Sequence, residues 1–74
     1  MTMNRKYTIE TERETDGRWL AEIPELPGVM TYGSTREEAQ SHVEALALRV
    51  LAEELESNLT PRVSSFSNIS FSLP

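Results

Sequence analysis

The chain has 74 residues, a formal net charge of −5 and no cysteine. That length suits one small domain with a small core, and without thiols the core has no disulfide or thiolate-bound metal to stabilise it. The negative charge disfavours nucleic-acid phosphates as the main partner and favours a basic one, and no segment has the apolar length of a signal peptide or a membrane span. We therefore expect a cytoplasmic protein.

The N-terminal third has the pattern of an antiparallel β-hairpin over residues 6–23. Apolar and polar residues alternate before Glu12 and again from Trp19 onward, a period of two that predicts strands. Asp16-Gly17 lies between the two runs and predicts a two-residue turn, because both positions tolerate positive φ. Trp19 is interpreted as a core residue in preference to a binding residue.

Residues 24–28, with the sequence PELPG, concentrate turn-forming residues. Pro24 has no backbone N–H, so the second strand must end beside it. Pro27-Gly28 predicts a type II turn, with proline fixing φ and glycine supplying a positive φ. PELP also fits the PxxP pattern of SH3 ligands, but a bend between two strands is the stronger interpretation. A third strand follows over residues 29–32.

A long amphipathic helix is predicted from Thr35 to Glu56. Thr35 and Glu38 have the spacing of a capping box, and Ser34 with Glu37 has the same spacing one residue earlier. Apolar residues then recur at the i, i+3, i+4, i+7 spacing of one packed stripe. A second apolar edge beside the stripe indicates burial on two sides or a partner surface.

The polar side of this helix is acidic, with Glu37, Glu44, Glu53 and Glu54 among its residues. Such a side is usually only solvated, but it is also the surface that suits a basic partner. His42 is the sole histidine, and we interpret it as an exposed helical residue and not as a metal ligand. The sequence predicts no catalytic, metal or cofactor site and no enzyme.

The C-terminal part predicts one more strand. Asn58 and Pro61 are expected to end the helix, and strict alternation over residues 67–73 is typical of a strand. The chain is therefore α+β in the order β-β-β-α-β, an antiparallel-rich sheet of three to four strands with one helix on one face. Where the last strand inserts stays open. The uncovered sheet face and edge predict a homodimer or a higher homo-oligomer.

Residues 16–39 resemble the central motif of the HicB-like antitoxins. That motif has Asp-Gly before an aromatic residue, a small residue and Ile-Pro, then Leu-Pro-Gly, then Gly-x-Thr-x-Glu-Glu-Ala at a helix start. The matching positions are Asp16, Gly17, Trp19, Ala21, Pro24, Leu26, Pro27, Gly28, Gly33, Thr35, Glu37, Glu38 and Ala39. The resemblance extends over residues 7–55 and implies a single HicB-like domain across residues 1–74, with a core at about 6–56 and a degraded ribonuclease-H-like fold.

The resemblance implies a type II antitoxin. HicB-like proteins bind a small basic HicA-like toxin ribonuclease and cover the surface with which it cleaves mRNA. On this basis the residues expected to contact the partner are Glu37, Glu44, Glu53, Glu54, Pro24, Pro27 and Gly28. The residues expected to serve the fold are Gly17, Trp19, Gly33, Thr35 and Glu38.

The resemblance does not extend to the DNA-binding module that many family members carry at their C-terminus. Residues 61–74 contain Arg62 as their one basic residue, so we expect no direct DNA binding. The alternative is an orphan dimeric HicB-like module that binds a small ligand or a nucleic acid and has no toxin partner. A basic patch with interleaved aromatic residues would favour nucleic acid, and Arg5-Lys6 is the sole adjacent basic pair.

Overall fold

A computed structural model describes residues 3–58 and 66–74 of the chain. Its elements are β1 (Met3–Thr8), β2 (Glu10–Arg13), β3 (Trp19–Glu22), β4 (Met30–Gly33), α1 (Arg36–Asn58) and β5 (Phe66–Ser72). Ile9 alone separates β1 from β2, so these two strands are the halves of the first predicted strand. The α+β class and the β-β-β-α-β order are therefore confirmed. Pro61, expected beyond the helix end, lies outside the described residues.

The strands form two sheets that share the first predicted strand. β2, β3 and β4 are antiparallel in that order, whereas β1 pairs in parallel with β5. The N–H of Ile9 donates to the carbonyl of Ser72 at 2.9 Å and continues this parallel ladder. The hairpin predicted over residues 6–23 is therefore wrong in its first half, because Pro24 ends β3 before it reaches β1. β5 pairs with that half along its other edge.

The loop between β2 and β3 also differs from its prediction. The N–H of Glu14 donates to the carbonyl of Arg18 at 2.7 Å, and the N–H of Gly17 donates to the carbonyl of Glu14 at 3.0 Å. These bonds close a loop over residues 15–17, so the predicted two-residue turn at Asp16-Gly17 is wrong. Gly17 has a φ of 94°, as expected where a turn is followed by a left-handed glycine bulge.

The hydrophobic core lies between α1 and the sheets. Its helical members are the predicted stripe, and its strand and loop members alternate with exposed residues. The buried residues are Tyr7, Ile9, Ala21, Ile23, Val29, Ala39, Val43, Ala47 and Leu51. Trp19 is half-buried and packs against this core, with the guanidinium of Arg36 at 4.8 Å from the centre of its ring. Trp19, predicted as a core residue, therefore lies at the edge of the buried cluster and not within it.

Candidate protein-interaction surfaces

Residues 24–28 form a compact double turn that joins β3 to β4. The N–H of Leu26 donates to the carbonyl of Ile23 at 2.9 Å, and the N–H of Val29 donates to the carbonyl of Leu26 at 3.0 Å. The second of these bonds, with a φ of 87° at Gly28, confirms the type II turn. The predicted contact residues in this turn are all exposed: Pro24, Pro27 and Gly28.

Glu25, to which the sequence analysis gave no role, ties this turn to β1. Its two carboxylate oxygens accept the backbone N–H of Thr8 at 3.1 and 3.2 Å. Because Pro24 ends β3 short of Thr8, the carboxylate supplies the acceptor that a longer strand would have supplied. This backbone hydrogen bond lowers the pKa of Glu25, since it favours the charged form.

The start of α1 is fixed by two side-chain hydrogen bonds to the backbone. The hydroxyl of Thr35 accepts the N–H of Glu38 at 3.0 Å, and the carboxylate of Glu38 accepts the N–H of Ser34 at 2.9 Å. The first contact is the predicted cap by Thr35, whereas the Glu38 carboxylate meets the N–H of Ser34 and not that of Thr35, one residue before the N–H of the predicted capping box. Glu37 is exposed on the first turn of the helix.

β4 lies close against the first two turns of α1. A Cβ added to Gly33 would lie 2.5 Å from the backbone nitrogen of Ala39, so only glycine allows this approach. The hydroxyl of Thr31 donates to the carbonyl of Ala39 at 3.0 Å, and Nδ1 of His42 lies 3.2 Å from the carbonyl oxygen of Tyr32. This contact is a hydrogen bond in the tautomer that carries its proton on Nδ1, because a carbonyl only accepts. His42 thus covers part of the outer edge of β4.

The four helical glutamates predicted to contact a partner do not share one side of α1. Glu37 and Glu44 are separated by about two turns and lie on the same side, whereas Glu53 follows Glu44 by about two and a half turns and lies opposite. Glu54 follows the buried Ala47 by about two turns and shares its side. Glu54 is nevertheless exposed, because residues 52–57 of the helix are all exposed. Their contact with a partner stays a prediction.

The antiparallel sheet has a second face, directed away from α1, that the sequence analysis did not single out. Ala21 is fully buried on the helix side, so its neighbours Leu20 and Glu22 point to the opposite face. The strand register places one residue of β2 and one of β4 beside each of them. We call these residues the outer sheet face: Glu10, Glu22 and Met30 in one row, and Glu12, Leu20 and Tyr32 in the next.

The outer sheet face is acidic along β2 and apolar along β4. Met30 is 45% exposed and Tyr32 is 42% exposed, with the Arg18 guanidinium 4.3 Å from the centre of the Tyr32 ring. A recess of about 100 Å³ lies in the acidic part, lined by Glu10, Thr11, Glu12, Leu20 and Glu22. In the described part of the chain Arg18 pairs with Asp16, and no cation pairs with these three glutamates. This surface can therefore attract a cation and also bury apolar atoms.

The carboxylate of Asp16, in the β2–β3 loop, already accepts hydrogen bonds within the loop. The backbone N–H of Arg18 donates to Asp16 at 3.0 Å, and Nε of Arg18 donates to the same carboxylate at 2.8 Å. The backbone bond, reinforced by the guanidinium, lowers the pKa of Asp16. Asp16 therefore stabilises the loop and presents less unpaired charge than the glutamates of the outer sheet face.

A second, open groove of about 480 Å³ lies between the first turns of α1, the start of β2 and the residues that follow β5. Its lining residues are Glu10, Thr11, Arg36, Gln40, Leu73 and Pro74. Among these described lining residues the cation is Arg36, which is stacked on Trp19. Within residues 3–58 and 66–74, no group of three or more histidine, aspartate or glutamate side chains could hold a metal ion, and no helix is long and apolar enough to cross a membrane.

Comparison with known proteins relates the chain to the UPF0150 protein Ta0767 of Thermoplasma acidophilum. The two are 34% identical over 53 residues, which cover 72% of this chain and 75% of the relative. The chain belongs to the UPF0150 family. No protein-family model matches this UPF0150 chain, and no solved structure matches it. The relative's name states no activity, ligand or partner, so membership of the family leaves the function to be argued from the residues.

Two features of this UPF0150 chain were missed by sequence reasoning. The bond from Thr8 to Glu25 joins residues 17 positions apart, and no local pattern indicates which N–H the carboxylate meets. The outer sheet face left a weak signal, since Glu10 and Glu12 alternate with apolar or β-branched residues. Only the strand register shows that Glu22 joins them.

Proposed function

We propose that this UPF0150 chain is an antitoxin-type interaction protein that binds a small basic mRNA-cleaving toxin and masks its RNA-binding surface. The observation that carries the proposal is the ordered motif of residues 16–39, which resembles the HicB-like antitoxins. The motif coincides with consecutive backbone features: the left-handed Gly17, the type II turn at Gly28, the close approach at Gly33 and the cap at Thr35. The residues that the chain shares with the family are thus residues that determine the fold, and they occur in the same order and at the same spacing.

The charge of the chain supports a basic partner. The net charge of −5 steers the encounter with a positively charged protein and speeds association at low ionic strength. The same charge opposes binding to RNA or DNA phosphates, so the chain would neutralise the toxin by covering it and not by competing for its substrate. In this proposal the chain acts in the cytoplasm, where mRNA is found, and is not itself an enzyme.

Self-association belongs to the proposal as well. Three large apolar side chains of the described residues that lie outside the antiparallel sheet are more than two-fifths exposed: Leu48, Leu55 and Leu73. A domain this small gains stability when such groups are buried against a second copy. We expect a mass in solution of at least twice the 8.4 kDa of the chain, measured by light scattering.

The experiment is co-expression of the chain with the product of the small reading frame beside its gene. We expect that product to be basic, to arrest growth when expressed alone, and to co-purify with this chain. Purified chain should then stop its cleavage of mRNA in a stoichiometric titration. A neighbour that neither co-purifies nor is toxic would overturn the antitoxin proposal and favour the orphan module.

A further inference from the structure

We propose that the outer sheet face is the surface on which the basic partner docks, in preference to the helical glutamates. This inference rests on the proposed function, because it assigns a site to the partner proposed there. The occupant is a protein surface that combines a lysine or arginine with apolar side chains. The surface lies wholly within β2, β3 and β4.

The apolar part of the outer sheet face supplies the area that holds a complex together. Met30 and Tyr32 lie on neighbouring rows of β4, beside the half-buried Leu20 on β3. Tyrosine contributes a large contact area at little conformational cost and is enriched among residues that dominate binding energy. The Arg18 guanidinium lies over the Tyr32 ring, and the side chain is still 42% exposed, so part of it is open to a partner.

The acidic part supplies charge complementarity. Glu10 and Glu22 are direct cross-strand partners, an arrangement of like charges that destabilises a sheet. A cation placed between them would relieve this repulsion. The recess of about 100 Å³ has Leu20 in its lining, so the methylene stem of a lysine or arginine can lie on the leucine while its charged end meets the carboxylates.

The same charge pattern argues against other occupants. In a two-fold contact between copies, the three carboxylates would meet each other, the apolar part or an Arg18 guanidinium that Asp16 already pairs, so each arrangement buries unpaired charge. A nucleic acid would bring its phosphates to three glutamates. A basic protein is the occupant that satisfies both parts of the surface.

The first test reverses charge on the proposed surface and on a matched control. Glu10→Lys with Glu22→Lys changes the charge of the outer sheet face while it keeps a like-charged cross-strand pair, so the cost to the fold is unchanged. Glu53→Lys with Glu54→Lys makes the same charge change on the exposed end of α1. The dissociation constant of each variant is measured against the co-expressed basic protein at low and high salt. We expect the sheet variant to bind on the order of tenfold more weakly at low salt, with a flatter salt dependence, and the helix variant to lose much less affinity, because it shares only the change in net charge.

The second test truncates apolar side chains on the proposed surface and, as a control, side chains of about the same exposure on α1. Met30→Ala with Tyr32→Ala truncates side chains that are 45% and 42% exposed, and Leu48→Ala with Leu55→Ala truncates helical side chains that are 48% and 43% exposed. We expect on the order of 30-fold weaker binding for the sheet variant, as for loss of a residue that dominates an interface, and little change for the helix variant. Thermal unfolding of each variant verifies that it is folded.

A third variant separates docking from folding. Glu22→Lys alone replaces a like-charged cross-strand pair with an opposite-charged one, so we expect its unfolding midpoint to rise. Binding should nevertheless weaken, because the recess loses a carboxylate and gains a cation. A residue that served only the fold would show stability and affinity moving together.

The outcomes separate the docking surface from the proposed function. A larger loss of affinity in the sheet variants than in the helix variants supports both. If the wild-type chain binds the basic protein and the helix variants lose as much affinity as the sheet variants or more, the docking surface is overturned and the antitoxin proposal stands. If the wild-type chain does not bind, the antitoxin proposal fails and the docking surface with it.

Discussion

Replacing Gly33 by alanine tests the contact that fixes the helix against the sheet. The new Cβ would lie 2.5 Å from the nitrogen of Ala39 and 3.0 Å from its Cα, and both are backbone atoms that no side-chain rotation moves aside. The first turn of α1 must therefore shift away from β4. Such overpacking costs about 1–3 kcal/mol.

The shift also weakens hydrogen bonds around the helix start. The bond from the Thr31 hydroxyl to the Ala39 carbonyl, 3.0 Å in the native chain, contributes about 1 kcal/mol, and partial loss of the cap adds about as much. We expect Gly33→Ala to lower the free energy of unfolding by about 3 kcal/mol. A domain of this size has roughly 4–11 kcal/mol in total, so the variant should unfold about 12 °C or more below the wild type.

Urea and thermal unfolding followed by Trp19 fluorescence suit this measurement. Trp19 is the sole tryptophan and lies opposite Gly33 in the strand register. Protein concentration is held constant, since self-association would add to the apparent stability. Gly28→Ala is the control, because its Cβ meets nothing within 4 Å and only its φ of 87° opposes alanine, at about 1–2 kcal/mol. A cost for Gly33→Ala no greater than that of Gly28→Ala would refute the close approach as the reason for glycine.

Three further predictions concern the cap, the turn and the core. Thr35→Ala should cost about 1 kcal/mol, measured by urea unfolding, through loss of the bond its hydroxyl accepts, and should leave partner affinity nearly intact; a larger loss of affinity than of stability would contradict its structural role. Because its folded pKa is lowered, Glu25 stabilises the fold above its unfolded pKa, and this contribution is lost as pH falls through the folded value. Glu25→Gln should therefore reduce the fall in the unfolding midpoint between neutral and acidic pH. An unchanged dependence of the midpoint on pH would show that the bond from Thr8 does not contribute to stability. Leu51→Ala should lower the free energy of unfolding by about 2–5 kcal/mol, and the exposed Leu55→Ala by under about 1 kcal/mol, in the same unfolding assay. Similar losses for the two variants would contradict the finding that Leu51 is buried and Leu55 is exposed.

Features that depend on a few neighbouring residues could be predicted from the sequence. Pro27-Gly28 determines its own turn type, and Thr35 with Glu38 determines the helix start, because each bond joins residues three or four positions apart. The buried stripe of α1 follows from helical periodicity alone. The turn, the helix start and the buried stripe account for most of the structure between residues 24 and 51.

Features that depend on distant pairing could not be predicted in the same way. Asp16-Gly17 suits a two-residue and a three-residue loop, and the pairing of Glu14 with Arg18 selects the longer one. The partner of β1 is decided by β5, which lies more than fifty positions away in sequence. Period-two alternation identifies a strand and its faces, but it does not identify the neighbouring strand.

The same limit applies to the candidate site. Composition indicated an acidic helix, yet the rotation of the helix from one residue to the next places Glu44 and Glu53 on opposite sides of it. The acidic part of the outer sheet face could not be assembled without the register that brings Glu10 beside Glu22. A surface made of side chains from three strands is therefore a property of the pairing and not of any one segment.

Pro24 connects the fold to the proposed docking surface. It follows the last residue of β3, Glu22, by two positions, so the rows of the outer sheet face stop at Glu22 and the exposed Pro-Gly turn begins beside them. The six residues of the outer sheet face are far fewer than the roughly 20–30 that one partner contributes to a standard interface, so the complex must extend beyond them. The turn at residues 24–28 is the exposed neighbour in the direction of Glu22 and Met30. A partner docked on the sheet would therefore also touch Pro27 or Gly28, which places the turn residues of the motif at the rim of the interface and the glutamates of β2 and β3 at its charged centre.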